Sequence, residues 1–278
     1  ILCGVATLLS DATTFNGTIY LLFQPAEENG EGAKTVLKDA LFQNIIPDFV
    51  FALHNLPGVP FGQIVVKNQT FSCAVNSMII ALSGKTSHAA EPENGINPAL
   101  AISELVTAFN QKIQADLSKD SFCLITPVYI NMGSKAYGVS AGYGEIHFTV
   151  RSNSNKNMDK IEADLVQLVT EIAETHQLLL EINWTQQFRA NENNFEAVTF
   201  IKNAAKANHF KITEKETPFS WGEDFGLFTE HFAGAMFGLG SGENIPALHN
   251  PDYDFPDELI PFGAKMFYEI IKEIHHAY

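Results

Sequence analysis

Hydrophobic and polar positions along the chain predict two stretches in which short buried strands alternate with amphipathic helices. The first runs to about residue 72 and the other begins near residue 188. Apolar runs of four to eight residues are typical of fully buried strands, and a 3.6-residue spacing is typical of helices. The predicted elements are a strand at 19–23, a helix at 32–41, a strand at 49–53, a helix at 195–207, a strand at 233–239 and a helix at 257–276. Such alternation favours a mostly parallel α/β sheet.

The stretch between them, residues 73–187, has a different pattern. It predicts a strand at 74–82, a helix at 97–113, strands at 122–132 and 143–151, a helix at 158–176 and a strand at 178–184. This β-α-β-β-α-β order is the ferredoxin-like split pattern, with two helices on one sheet face and the other face free. We therefore predict one α/β domain made of residues 1–72 and 188–278, into which a smaller domain, residues 73–187, is inserted. Ligand sites favour such domain junctions.

Composition and charge exclude several classes of protein. The 278 residues carry a formal net charge of −15 and show no basic patch, which argues against nucleic acid as a partner and against an anionic membrane surface. No apolar run reaches the roughly 18 residues that a membrane span requires. The three cysteines are widely spaced and odd in number, which predicts free thiols in a reducing cytoplasm rather than a disulfide framework.

The densest group of polar residues, residues 24–32, directly follows the first predicted strand. Open α/β sheets bind ligands at the carboxyl ends of their strands. Glu27 and Glu28 are adjacent there, so that one carboxylate can bind a metal ion while the other transfers protons. The alternative is a solvated acidic loop that favours a helix N-terminus.

Two histidines occupy positions compatible with the same edge of the sheet. His54 follows the second predicted strand, and His249 lies in a loop before the last helix. Taken singly, each is typical of a structural histidine. Together with a carboxylate they indicate a metal site, because oxygen and nitrogen donors suit zinc, manganese or cobalt.

Two further motifs leave alternatives open. Ser87 and His88 are adjacent, but no G-x-S-x-G elbow is present, which argues against a serine hydrolase. Residues 221–225 contain Glu223 and Asp224, whose carboxylates either orient metal ligands or cap the helix that follows.

Five motifs, in order, give the chain a resemblance to a known family. They are GTIYLLFQPAEENGEGAKTVLKDALF at 17–42, ALHNLPGVPFG at 52–62, LSGKTSHAAEPENGINP at 82–98, GEDF at 222–225 and HNPDYDFPDELIPFG at 249–263. The chain resembles the aminoacylase and carboxypeptidase group of dinuclear metallohydrolases. Within that group it is most similar to the amidohydrolase branch of hippurate hydrolase, N-acyl-L-amino-acid amidohydrolases and plant indole-acetyl-amino-acid hydrolases.

The resemblance implies an α/β metallohydrolase domain with an inserted ferredoxin-like lid and two divalent metal ions (zinc, manganese or cobalt). It implies hydrolysis of the amide bond of N-acyl amino acids, which releases a carboxylic acid and an amino acid. By motif, Glu28, His54 and His249 are implied metal ligands, Glu27 is the implied general base and acid, and His88 the implied contact to the substrate carbonyl or oxyanion. A free lid sheet permits a homodimer without requiring one.

The sequence departs from this pattern in two places. The branch normally has a Cys-x-His metal pair just upstream of the helix that opens at Ile1, so we expect the chain to be truncated and inactive alone. Cys3 is not predicted to replace that pair. Gly138 stands in a segment where the family usually has an asparagine, which leaves the preferred substrate open. A dipeptidase or aminopeptidase of the same group, or a metal-depleted binding protein, remain as alternatives.

Overall fold

A computed structural model describes residues 1–11, 15 and 17–278 of the protein. The first stretch contains α1 (Leu2–Ser10), α2 (Gly32–Lys38), β1 (Val50–Pro57), β2 (Ile64–Val66) and β3 (Gln69–Ser72). The middle stretch contains β4 (Ala74–Ser83), β5 (Ser87–His88), α3 (Ala99–Gln111), β6 (Cys123–Met132), β7 (Val139–Ser140), β8 (Tyr143–Ser152), α4 (Asn155–Thr175) and β9 (Leu179–Phe188). The last stretch contains β10 (Asn191–Asn193), α5 (Phe195–Ala207), β11 (Ile212–Glu214), α6 (Gly226–His231), β12 (Gly234–Gly242) and α7 (Ile260–Ala277).

The main sheet joins strands from the first and last stretches in the order β1-β12-β2-β11. β1 runs parallel to β12 and β11 parallel to β2, whereas β12 and β2 are antiparallel. α5 and α7 contribute Phe200, Ile201, Met266 and Ile270 to the core that covers this sheet. His54 was predicted to follow this strand, but β1 continues to Pro57, so His54 lies within β1 opposite Gly238 of β12. Because β1 and β12 are parallel, the carboxyl-terminal half of β1 faces the same edge of the sheet as the loop after β12 that bears His249.

The inserted sheet has the order β6-β8-β4-β9, with every neighbouring pair antiparallel. α3 and α4 pack on one face and share a core with it that includes Leu82, Leu105, Phe148 and Val169. This is the strand order of a ferredoxin-like unit and follows the predicted β-α-β-β-α-β sequence of elements. We refer to these four strands as the lid sheet. The domain boundaries at residues 72 and 187 stay a prediction.

The prediction of a buried strand at 19–23 is wrong. The structure shows no ladder partner for this segment among the described residues, and Tyr20 and Phe23 are 60% and 64% exposed. Residues 17–25 and residues 50–53 of β1 instead both line a mostly apolar cleft of about 1780 Å³. An apolar run becomes a strand only when a neighbouring backbone accepts and donates its hydrogen bonds, and among the residues that the structure describes β1 pairs with β12 alone. None of the helices among the described residues has the length and hydrophobicity needed to cross a bilayer.

Candidate functional site

Glu27 lies in the turn that connects residue 24 to α2, and it contacts the loop that precedes α6. Its half-buried carboxylate accepts a hydrogen bond from the backbone N–H of Asp224 and another from the side chain of Glu223. Burial raises the pKa of Glu27, and the nearby charge of Asp224 raises it further. A raised pKa makes this carboxylate a stronger base than an ordinary glutamate, which suits it to accept a proton.

Glu223 is the most strongly perturbed acid of the site. Burial raises the pKa of its carboxyl to about 9, and the charge of Glu27 beside it acts in the same direction. Glu223 therefore carries a proton at neutral pH and acts as the donor in its hydrogen bond with Glu27.

His54 projects from β1 towards the same two carboxyl groups. Its Nδ1 donates to the carbonyl oxygen of Asn55 at 2.7 Å, which leaves the lone pair on Nε2. Nε2 lies 3.4 Å from Oε1 of Glu223, and the ring packs against Trp221 with 5.0 Å between centroids. Burial lowers the pKa of His54, so the neutral imidazole that can bind a metal ion is favoured.

Glu28 and His249 lie close enough to His54 to influence its titration. The charge of Glu28 raises the pKa of His54 and that of His249 lowers it, although both effects are smaller than burial. Both residues are exposed, and His249 adopts a left-handed backbone conformation with φ of 66°. The Asn55 side chain donates to the hydroxyl of Tyr253, which ties the loop of His249 to the end of β1.

His88 lies apart from this group, in the lid. It forms part of the two-residue strand β5, which pairs with β7 next to Gly138. Its Nδ1 accepts a hydrogen bond from the Ala90 N–H at 3.1 Å, so the proton of the neutral ring resides on Nε2. Within the described part of the chain, no hydrogen bond, ion pair or ring contact joins His88 to Glu27 or His54.

The two carboxylates of residues 221–225 do not cap the helix that follows. α6 has Phe225 as its N-cap, without a side-chain hydrogen bond. Asp224 instead accepts hydrogen bonds from the side chain of Gln24 and the backbone of Ala33. The sequence indicated this motif but not its hydrogen-bond partners Gln24 and Ala33. It also did not indicate that Trp221 packs against His54 or that Tyr253 contacts Asn55.

The chemistry of these donors fits a divalent cation. A carboxylate and two imidazoles suit zinc, manganese or cobalt, and no lysine or arginine of the described ranges forms an ion pair with Glu27, Glu28, Glu223 or Asp224. However, no three His, Cys, Asp or Glu side chains in residues 1–11, 15 and 17–278 are arranged to hold one ion. Glu28, His54 and His249 therefore stay predicted ligands, and the roles of Glu27 and His88 stay predictions as well.

Curated proteins similar to this chain are named as a hydrolase and as deacetylases. Hippurate hydrolase of Campylobacter jejuni is 28% identical over 255 residues, which cover 91% of this chain and 66% of that protein. N-acetyl-L-cysteine deacetylase of Bacillus subtilis is 28% identical over 277 residues, covering 98% and 65%. N-acetyldiaminopimelate deacetylase of Oenococcus oeni is 31% identical over 246 residues, covering 86% and 63%. The chain thus spans just under two thirds of the length of these relatives.

A solved structure shows the same fold. The YXEP protein of Bacillus subtilis, described as a dinuclear metal binding peptidase, superposes with a TM-score of 0.81 at 21% identity and covers 100% of this chain and 71% of its own. A family profile matches residues 1–273. With this match over nearly its whole length, the chain belongs to the peptidase family M20/M25/M40.

Proposed function

We propose that this chain belongs to a metal-dependent amidohydrolase that releases a carboxylic acid and an amino acid from N-acyl amino acids. The observation that carries the proposal is the contact of Glu27 with Glu223 and of Glu223 with His54. Through Glu223, this contact connects the carboxylate proposed to transfer protons with an imidazole that has a free Nε2 lone pair, which supports the proposal. The substrates named for the three curated relatives, which are acylated amino acids, support the same reaction class.

In this proposal Glu28, His54 and His249 hold divalent metal ions, zinc, manganese or cobalt. When bound, such ions lower the pKa of a coordinated water towards about 7 and polarise a carbonyl oxygen. Glu27 takes a proton from the attacking water, whose oxygen forms the new bond to the carbonyl carbon. Glu27 then delivers that proton to the amide nitrogen as the C–N bond breaks. His88 donates from Nε2 to the carbonyl oxygen as negative charge develops on it.

Replacing the proposed base tests this assignment. Glu27→Gln, in protein expressed from the whole reading frame that contains these residues, should lower kcat by at least about 100-fold because the amide cannot accept a proton. Metal content, measured by elemental analysis, should not change. Glu31→Gln is the control, since Glu31 is an exposed carboxylate of the same turn. Turnover like that of wild type would falsify the role of Glu27.

A dipeptidase or aminopeptidase of the same family is the second candidate. It is supported by the family to which the chain belongs, which is a peptidase family. N-acetyl and N-benzoyl amino acids, compared with free dipeptides at equal concentration, separate the two. A larger kcat/KM for free dipeptides would assign the peptidase reaction instead.

A metal-depleted binding protein is the third candidate, because the described residues gather no three metal donors. The protein is incubated with zinc or manganese and passed through gel filtration, and elemental analysis then measures the metal that stays bound. The number of ions per chain decides between this candidate and an enzyme. Retention of about two ions per chain supports the enzyme. A protein from the whole reading frame that retains none would remove the enzyme proposal.

The lid sheet also supports the homodimer. β6 is an edge strand without a charged residue, and Val128, Tyr129 and Ile130 are about half exposed on it. Such an edge is a template for pairing with a second strand, here β6 of a second copy. Ile130→Lys should convert a dimer to a monomer in light scattering, whereas Tyr137→Lys, outside β6, should not. A wild-type monomer would contradict the dimer.

The location in the cell stays a prediction. The three cysteines are free thiols in the structure, Cys3 exposed and Cys73 and Cys123 buried, which supports the predicted cytoplasm. Fractionation of cells that express the protein tests it, and recovery in an oxidising compartment would contradict it.

A further inference from the structure

Asp224 connects two segments that lie far apart in the sequence. Its carboxylate is almost fully buried, with the residue 2% exposed. Oδ2 accepts hydrogen bonds from the side-chain amide of Gln24 at 2.7 Å and from the N–H of Ala33 at 2.8 Å, and Oδ1 accepts from Gln24 at 3.0 Å. These donors stand at the two ends of the turn that carries Glu27 and Glu28. One carboxylate therefore closes the turn from both sides.

The packing around Gly32 shows how tightly this closure is made. A Cβ at Gly32 would lie 2.3 Å from the carbonyl oxygen of Pro25, 2.5 Å from Nε2 of Gln24 and 3.0 Å from Oδ2 of Asp224. The beginning of the turn, its end and the Asp224 carboxylate are thus in mutual contact with no space for a side chain. In addition, the backbone N–H of Asp224 donates to the carboxylate of Glu27.

We infer that Asp224 is a positioning residue, whose carboxylate closes the turn of residues 24–33 and so sets the direction in which Glu27 and Glu28 point. The consequence for catalysis rests on the proposed function, whereas the closure of the turn does not.

Four variants separate positioning from direct chemistry. Asp224→Ala removes every acceptor. Asp224→Asn keeps the closure, because its oxygen can accept from Ala33 while its amide donates to Gln24 once that side-chain amide has rotated. Gln24→Glu replaces the amide donor with a second, part-buried carboxylate, and at a pH high enough to keep both carboxylates ionised their repulsion should open the turn. In the double variant Gln24→Glu with Asp224→Asn, the new amide at position 224 can donate to the new carboxylate at position 24, so the turn should close again.

Hydrogen exchange of peptides from residues 24–38, followed by mass spectrometry, measures the closure directly. Protection in this segment should fall by about 10- to 100-fold in Asp224→Ala and Gln24→Glu, from the loss of the hydrogen bonds. It should stay near wild type in Asp224→Asn and in the double variant. Asp116→Ala is the matched control, since Asp116 also accepts from a backbone N–H and a side chain, both of Ser118, but in an exposed lid loop.

Activity towards N-acyl amino acids gives the second readout. The two variants that open the turn should lose about 100-fold in kcat with little change in KM, since misplacement by about 1 Å has this effect. Unchanged protection in Asp224→Ala would overturn the inference. So would an Asp224→Asn variant as inactive as Asp224→Ala, because the charge itself would then be required. If wild type shows no hydrolysis at all, the proposed function fails and the exchange pattern alone still decides on the closure.

Discussion

The buried acid Glu223 should make the free energy of unfolding of the metal-free protein fall as pH rises. The substitution Glu223→Gln should remove this dependence. Its pKa is about 9 in the fold and 4.5 as the ordinary value, which we take for the unfolded chain. Below pH 4.5 the carboxyl is protonated in both states and has no effect. Above it the unfolded chain releases the proton while the folded chain keeps it, so the free energy of unfolding falls as pH rises towards 9.

Gln cannot ionise, and its amide can donate to Glu27 as the protonated Glu223 does, so Glu223→Gln removes this loss. From the two pKa values, the variant should be more stable than wild type by about 1 kcal/mol at pH 5 and about 3 kcal/mol at pH 7. Urea unfolding at both pH values, with a chelator present, measures the difference. Glu93→Gln is the control, because Glu93 is exposed in the lid.

Two results would refute this reasoning. The first is a Glu223→Gln variant that is no more stable than wild type at pH 7. The second is a gain in stability of equal size at pH 5 and pH 7. In either case the carboxyl of Glu223 would be ionised in the fold at neutral pH. The proton in its hydrogen bond with Glu27 would then have to belong to Glu27.

Three further outcomes are expected. Burial raises the pKa of the Cys73 thiol to about 12, so at pH 8 this thiol should react with a disulfide reagent about a thousandfold more slowly than an ordinary thiol. The exposed Cys3 thiol should account for the fast reaction, and Cys3→Ser should remove it. Gly32→Ala should lower the free energy of unfolding by about 1–3 kcal/mol in urea titrations, because the added carbon meets a backbone oxygen at 2.3 Å. Gly138→Asn should change it by less than about 0.5 kcal/mol, since nothing lies within 4 Å of the position of its Cβ. A large loss there would place Gly138 in a tighter contact than the structure shows.

The lid was predictable because its signals are local. The helix predicted at 158–176 is α4, Asn155–Thr175, and the strand predicted at 74–82 is β4, Ala74–Ser83. α4 has one buried face, so a periodicity of 3.6 residues is present in its sequence, and β4 is buried along most of its length, so its sequence is a short apolar run. The segment at 19–23 failed on the same criterion, because its apolar run indicates burial but contains no information on whether a neighbouring strand is present.

For the site, residue type and the predicted strand ends brought Glu27 and His54 forward. The structure keeps the two residues near each other, although the segment at 19–23 is not a strand and His54 lies within β1 instead of after it. Tertiary structure alone decided that Glu223 bonds to Glu27 and approaches His54, and that Asp224 holds a turn whose residues lie 191 and 200 positions earlier. Periodicity records which side of an element is buried but not which distant element covers it. Contacts between remote segments form only when the chain folds, and here those contacts determine the protonation state and direction of the carboxyl groups.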